Sequence, residues 1–141
     1  MELEIIEKLK NCTIDNTKLI TYNFTKAKVL KVYDGDTFTI AGFHNGDFCK
    51  FSVRLYGVNC EEIKGGTAET KKLAQDAKKF VEDMILDKIV DIDILNNRII
   101  DNKKMTEKYG RLLCNVKIDN NDLAISLLNA GLAKPYFGGH K

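Results

Sequence analysis

Acidic, basic and aromatic side chains fall into three short groups along this chain, each with residue types suited to handling a phosphate. The first is Asp34-Gly35-Asp36-Thr37. Its two carboxylates flank a glycine in an oxygen-rich corner of the kind that hard cations such as calcium or magnesium prefer. Asp-Gly is also a common turn pair, and taken alone these residues favour the turn. The second group runs from Arg54 to Glu62, one arginine followed by Asn59, Glu61 and Glu62 in a glycine-containing loop. The third is Glu107-Lys108-Tyr109-Gly110-Arg111, where cations and a ring precede an apolar alternating run. Guanidinium groups grip phosphate oxygens through paired hydrogen bonds, and a nearby carboxylate takes the proton of an attacking water. For any one of these arginines alone, a solvated surface position is the commoner reading.

The elements that must position these groups follow from periodicity. Lys28 to Tyr33 and Thr37 to Ile40 are rich in β-branched residues and read as strands joined at Asp34-Gly35-Asp36. Residues 48 to 56 alternate, with Phe51, Val53 and Leu55 on one face and Lys50, Ser52, Arg54 and Tyr56 on the other, so Arg54 points away from the apolar side. After a loop with Gly57, Gly65 and Gly66, Thr67 is placed to cap a helix whose apolar face is Leu73, Ala77, Phe80, Val81, Met84 and Ile85. Val90, Ile92 and Ile94, and then Leu112, Cys114, Val116 and Ile118, predict two more strands on either side of a polar stretch from Asn96 to Lys108. A short helix from about Asn121 ends near Gly131. The order β-β-β-α-β-β-α predicts an α+β, mainly β fold, a five-stranded OB-fold barrel. Residues 1–22 form an extension in which Leu3, Ile5, Ile6 and Leu9 predict an amphipathic helix packed on the barrel of residues 23–141.

Composition narrows the class. The chain has 141 residues, 44% hydrophobic and 30% charged, the balance of a folded domain rather than a disordered tail. With 22 basic and 20 acidic residues the net charge is only +2, so a polyanion must be gripped locally. The opening Met1-Glu2-Leu3-Glu4 lacks the apolar run of a signal peptide or membrane span, which predicts an intracellular, cytoplasmic protein. Cys12, Cys49, Cys60 and Cys114 lie far apart with no Cys-x-x-Cys spacing, which predicts reduced thiols rather than a zinc site. His44 and His140 read as solvated loop residues, and acids around Cys60 would raise its thiol pKa, which argues against a nucleophile.

Taken in order, four segments resemble the staphylococcal nuclease (thermonuclease) family. They are Val32-Tyr33-Asp34-Gly35-Asp36-Thr37, Val53 to Glu62, Glu107-Lys108-Tyr109-Gly110-Arg111, and Gly131-Leu132-Ala133-Lys134, with the likeness running from about Lys26 to Phe137. The resemblance implies a phosphodiesterase acting on DNA and RNA, usually with calcium, whose products end in a 3′-phosphate; magnesium or manganese are the alternative ions. By position it implies Arg54 and Arg111 as the arginines on the reacting phosphate, Glu62 as general base, and Asp36 as metal ligand. Asn59 and the backbone carbonyl of Cys60 complete the implied ligand set, with Asp34 behind them. Lys108 and Tyr109 would contact a terminal phosphate. Read from the residues themselves, Tyr136 or Phe137 either stacks on a base or packs in the core or rim. The expected partner is single-stranded DNA or RNA, with no membrane, and the expected state is a monomer.

Two departures from the family pattern matter. Asn59-Cys60-Glu61-Glu62 stands where the family shows Asp-x-Pro-Glu, so one metal carboxylate becomes an amide and binding should weaken, with Glu61 as a compensating acid. The chain also ends soon after Pro135-Tyr136-Phe137 without the family's last helix, and the amino-terminal segment is expected to cover the surface thus left. Replacement of that carboxylate by the neutral Asn59 also keeps open a non-catalytic nucleic-acid- or protein-binding module on the same barrel.

Overall fold

The computed structural model describes residues 1–63 and 66–137, so Gly65 and His140 lie outside the described residues. Helix α1 (Glu2–Leu9) precedes strands β1 (Lys26–Asp34), β2 (Thr37–His44), β3 (Asp47–Leu55) and β4 (Gly57–Asn59). Helix α2 (Ala68–Ile85) leads to β5 (Ile89–Ile94), the small pair β6 (Ile99–Ile100) and β7 (Lys103–Lys104), then β8 (Leu112–Ile118) and β9 (Asn121–Asp122). Helix α3 (Leu123–Asn129) and β10 (Lys134–Tyr136) complete the described fold.

The main sheet runs β3-β2-β1-β5-β8-β9, and a parallel pairing of β3 with β8 closes five of these strands into a barrel of the OB type expected from the order of elements. Val29, Val32, Phe38, Ile40, Val53, Leu55, Val90, Ile92, Cys114 and Val116 point inward and form its core with Ala77, Val81 and Ile85 of α2. Thr67 caps α2 as its sequence predicts: its hydroxyl accepts the Thr70 N–H at 3.2 Å. The buried stripe of α2 runs through Ala74, Ala77, Val81 and Ile85, one position offset from the expected start at Leu73, which is exposed. The small alanines let the helix lie close against the barrel, where a leucine would hold it off. Asp122 caps α3, and Gly131 has the left-handed φ of +72° expected just beyond a helix end.

The loops carry more structure than their polarity predicts. Asn45-Gly46, Asp101-Asn102 and Asp119-Asn120 each have positive φ at both residues, the requirement of a tight type I′ connection. His44 is therefore the last residue of a strand rather than a solvated loop residue. Its ring lies 5.0 Å from Tyr22 and 6.1 Å from Phe51 in an aromatic cluster that also holds Phe24. Gly42 makes room for that cluster, since a Cβ there would come within 2.6 Å of the Phe24 ring.

The amino-terminal expectation divides. Residues 2–9 are helical, but none is buried, so α1 does not pack on the barrel and covers none of its surface. Its three acids (Glu2, Glu4 and Glu7) and short length leave too little apolar area to hold an eight-residue helix against the body. The extension is tethered at its end, where Asn97 Nδ2 donates to the Ile20 carbonyl at 3.4 Å and the Tyr22 ring packs against His44 and Phe51. Deleting residues 1–18 should then shift the melting temperature by less than about 2 °C, as exposed segments do. A drop of several degrees on thermal unfolding followed by circular dichroism would restore the covering role.

Candidate nuclease site

The barrel closure explains how arginines distant in sequence meet. In the β3–β8 pairing Arg54 lies beside Leu113, and Arg111 is the residue just before β8. Both side chains therefore emerge at one end of the barrel, where a cleft of about 730 Å³ is lined by Asp34, Asp36, Arg54, Glu62, Arg111 and Tyr136, with Thr37, Glu107, Lys108 and Tyr109 along the same wall. Arg54, Glu62 and Arg111 are thus gathered in one place.

The turn Asp34-Gly35-Asp36 sits at the cleft floor. Gly35 is required there by close approach rather than by φ, because a Cβ would lie 2.8 Å from Cys60 Sγ and 2.9 Å from Ala77 Cβ. That contact presses the turn against α2 and the β4 exit and fixes both flanking carboxylates. Asp36 is nearly buried. Its Oδ2 accepts the Cys60 N–H at 2.9 Å, its Oδ1 accepts the Thr37 hydroxyl at 3.1 Å, and Arg54 Nη2 lies 3.6 Å away. Asp34 is held above the ordinary aspartate range chiefly by burial; the Ile63 N–H opposes this, while the neighbouring charges of Asp36 and Glu62 add to it.

Alternation places Arg54 on the polar face of β3 as expected, yet it is buried rather than solvated. Its Nη1 donates to the Leu55 carbonyl at 2.6 Å, its Nη2 donates to Asn59 Oδ1 at 3.4 Å, and the Tyr136 ring lies 5.8 Å from the guanidinium carbon. Tyr136 reaches that position because β10 pairs with β4, a two-stranded sheet that the sequence reading did not contain. Asn59 and Cys60 lie behind the cleft wall, with the Asn59 amide engaged by Arg54. Burial, with added repulsion from Asp36, pushes the Cys60 thiol up to about 12, so it stays protonated and is no nucleophile.

Arg111 is held from both ends. Asn96 Nδ2 donates to the Arg111 carbonyl at 2.9 Å and Asn96 Oδ1 accepts the Leu113 N–H at 2.7 Å, so an amide side chain substitutes for a strand neighbour. Glu107 Oε2 accepts from Arg111 Nε at 3.0 Å and from its backbone N–H at 3.3 Å, and Oε1 accepts the Tyr109 N–H. One carboxylate thus closes the turn through Gly110, at φ +78°, and aims the guanidinium. Arg111 Nη1 lies 3.5 Å from Thr37 Oγ1, which links it through Thr37 and Asp36 to Arg54. Lys108 Nζ and the Arg111 guanidinium lie 5.0 and 5.3 Å from the exposed Tyr109 ring at the cleft rim.

Thr37 and Asn96 carry no sequence signal for these roles, since each acts through a partner that the fold brings near, whereas Glu107 holds an arginine only four residues away. Burial alone would raise the Glu107 pKa, but hydrogen bonds from Arg111 and the Tyr109 N–H outweigh it and hold the acid below its usual value near 4.5. A lowered folded-state pKa means that the stabilisation is complete above the ordinary glutamate range and is lost as pH falls through the folded value. Glu107→Gln should therefore melt lower than the parent at pH 7, with the gap closing below about pH 4. It should also slow turnover about tenfold by loosening Arg111. A gap that is constant with pH, or unchanged turnover, would refute the role.

Among the described residues no three His, Cys, Asp or Glu side chains are grouped closely enough to hold a metal ion. The oxygen donors at the cleft floor are nonetheless of the type hard cations take, and the mutual repulsion of Asp34, Asp36 and Glu62 is the condition a cation relieves. No helix among the described residues is long and apolar enough to cross a membrane. No curated protein matches the chain. A family model described as staphylococcal nuclease homologue matches residues 52–141, more than half of the chain, beginning within β3 and leaving Asp34 and Asp36 outside the matched segment. With its closed barrel and its convergent cleft, the chain belongs to the family of staphylococcal nuclease homologues, whose fold and membership support a nuclease-like hydrolytic role.

Proposed function

We propose that the domain hydrolyses phosphodiester bonds in single-stranded DNA or RNA at the cleft between β3, β8 and the Asp34–Asp36 turn. The observation that carries this reading is the convergence of two guanidiniums and a carboxylate, from Arg54, Arg111 and Glu62, on one cleft. The phosphodiester is anionic, and more charge gathers on its equatorial oxygens as water adds. Fixed guanidiniums meet that charge without reorganising. Glu62 takes a proton from the attacking water while the water oxygen bonds to phosphorus. The P–O5′ bond then breaks, the 5′-alkoxide takes a proton from solvent, and the phosphate stays on the 3′-oxygen. Lys108 and Tyr109 hold a terminal phosphate at the rim, and Tyr136 offers a ring to a base.

A hard divalent cation, calcium with magnesium or manganese as alternatives, would be anchored by Asp36 with the Asn59 amide and Cys60 carbonyl, with Asp34 behind, and would supply further positive charge to a phosphate oxygen. The neutral Asn59 and its contact with Arg54 make this a weak site. The absence of a three-acid group among the described residues favours a second reading, a non-catalytic module that binds nucleic acid or protein on the same face. Digestion of a labelled single-stranded oligonucleotide with calcium, magnesium, manganese or chelator separates the two. Cleavage in calcium that chelator abolishes is expected; binding without cleavage in every ion would establish the module.

A further inference from the structure

Apolar exposure is not spread evenly over this chain. Among the described residues eighteen large hydrophobic side chains are exposed, and eight of them lie within residues 1–20, every one of which is exposed. Exposed leucines scattered singly are ordinary, but such a density on one segment marks a surface that meets something. The segment is nonetheless ordered on itself. Leu3, Ile5, Ile6 and Leu9 line one side of α1, and beyond it Thr13 and Asn16 exchange side chain–backbone hydrogen bonds at 2.8 and 3.2 Å. A helix of eight residues is marginal alone in water. This arm is therefore shaped to be completed by contact.

Its charges exclude two kinds of partner. α1 carries Glu2, Glu4 and Glu7 against Lys8, and Glu7 is paired with Lys10 at 3.0 Å. A helix that lies on a membrane surface has basic residues on its polar face, and a polyanionic nucleic acid repels acids. The complement of α1 is a surface both apolar and basic, and the domain has one. Phe43 and Phe48 pair across β2 and β3 on the outer face of the sheet, 55% and 78% exposed, with ring centroids 5.0 Å apart. Lys50 shares that face, and β1 adds Lys28, Leu30 and Lys31 beside it. Lys26 is already paired with Asp91, whereas Lys28, Lys31 and Lys50 make no ion pair among the described residues.

A single chain does not bring arm and face together. The arm is held at its root by the Asn97–Ile20 hydrogen bond and by the Tyr22 ring on His44 and Phe51. His44 and Phe51 lie on the inner side of the β2–β3 hairpin, in register with buried Ile40 and Val53, so the arm leaves from the side opposite Phe43 and Phe48. A second copy presents its outer face without any need to wrap round the hairpin. We propose that the amino-terminal arm docks on the outer β1–β2–β3 face of a second copy, and that two chains do so reciprocally to form a weak dimer. The apolar side of α1 covers Phe43, Phe48 and Leu30, and its acids meet Lys28, Lys31 and Lys50. Reciprocal exchange closes with two-fold symmetry and leaves no arm or face open. An arm of about 20 residues with its receiving face reaches the roughly 20–30 residues per partner of a standard interface, which one α1 packed on another does not. Ordering the arm costs affinity, which places Kd on the order of 10 μM. The dimer does not depend on the nuclease reading, and it gives the extension a role that the cleft does not need.

Sedimentation of the whole chain over about 1–200 μM reads the association by mass action. Reductant is present, so that the exposed Cys12 cannot cross-link two arms. The parent should pass from one chain to two across this range, and a chain lacking residues 1–18 should stay at one throughout. Glu2→Lys/Glu4→Lys on the arm and Lys28→Glu/Lys31→Glu/Lys50→Glu on the face should each weaken the dimer about tenfold or more, because like charges then face each other. Mixed together, these two variants should regain association near the parental concentration, since each arm meets a face of opposite charge. All five positions are exposed, and circular dichroism checks that the variants fold. At the few micromolar of a melting experiment the dimer is dissociated, so arm deletion leaves the melting temperature near the parental value. A parent that sediments as one chain at every concentration would overturn the proposal. So would a dimer that survives arm deletion, or one that the face variant does not weaken, because the arm or the face would then not be the contact.

Discussion

Arg111→Ala should lower cleavage of single-stranded DNA on the order of 100-fold or more and leave the protein folded. Arg111 is partly exposed at the cleft wall, and its side-chain contacts are to Glu107, Thr37 and the Tyr109 ring. Truncation removes the ion pair of Glu107, whose side chain is only 5% exposed, but leaves it the Tyr109 and Arg111 backbone N–H bonds, so the fold loses less than it does at Arg54. The transition state by contrast loses one of two cations fixed on its equatorial oxygens. Arg54→Ala should show the same loss of rate but a second effect as well. Arg54 and Asp36 are both nearly buried, 3.6 Å apart, and removing the guanidinium leaves Asp36 and the Leu55 carbonyl short of a partner. Such a loss costs about 1–3 kcal/mol of stability. Steady-state cleavage beside thermal unfolding distinguishes the two variants, and near-parental turnover in folded Arg111→Ala would remove the arginine pair from the mechanism.

This asymmetry between the arginines is where sequence reasoning stopped short. Strict alternation put Arg54 on the polar side of β3 and was right about its direction, but direction is not exposure. Pro135-Tyr136-Phe137 carries no alternation, so nothing local announced the strand that lays Tyr136 over the guanidinium. The parallel β3–β8 pairing, which brings Arg54 and Arg111 together, depends on contacts between residues more than fifty positions apart, and no window of sequence contains it. What could be read was local chemistry: the β-branched runs, the Thr67 cap, the alternating Leu112 to Ile118 and the glycine after α3 all appeared where their residues placed them.

Other features were legible and passed over. Asn45-Gly46 between alternating apolar residues is a strong hairpin signal, and it would have moved His44 from a loop into a strand. Glu107 stands in the third group of the sequence with no role of its own, although a carboxylate four residues before an arginine across a glycine can close that turn upon itself. The amino-terminal helix shows the opposite error. Its amphipathic spacing predicts a helix and a helix forms, but amphipathicity says only that an apolar face exists, not that the parent domain buries it.

Replacing Glu62 with glutamine should separate binding from chemistry more cleanly than either arginine variant. Glu62 lines the cleft beside Asp34 and Arg54 on the segment that leads toward α2, and it is exposed. Glutamine keeps its size and removes both the negative charge and the capacity to accept a proton from water. If Glu62 is the base, turnover falls by about 100- to 10,000-fold, the range for loss of general acid–base catalysis. Affinity for a single-stranded oligonucleotide moves the other way, because one negative charge facing the phosphate is gone. A binding module predicts a different pattern, in which Glu62→Gln tightens binding and there is no turnover in the parent to lose. Active-site titration and anisotropy on the same preparation read both quantities. A variant that cleaves at the parental rate would show that the water is activated elsewhere, and Glu61 on the same loop would then be the next acid to replace.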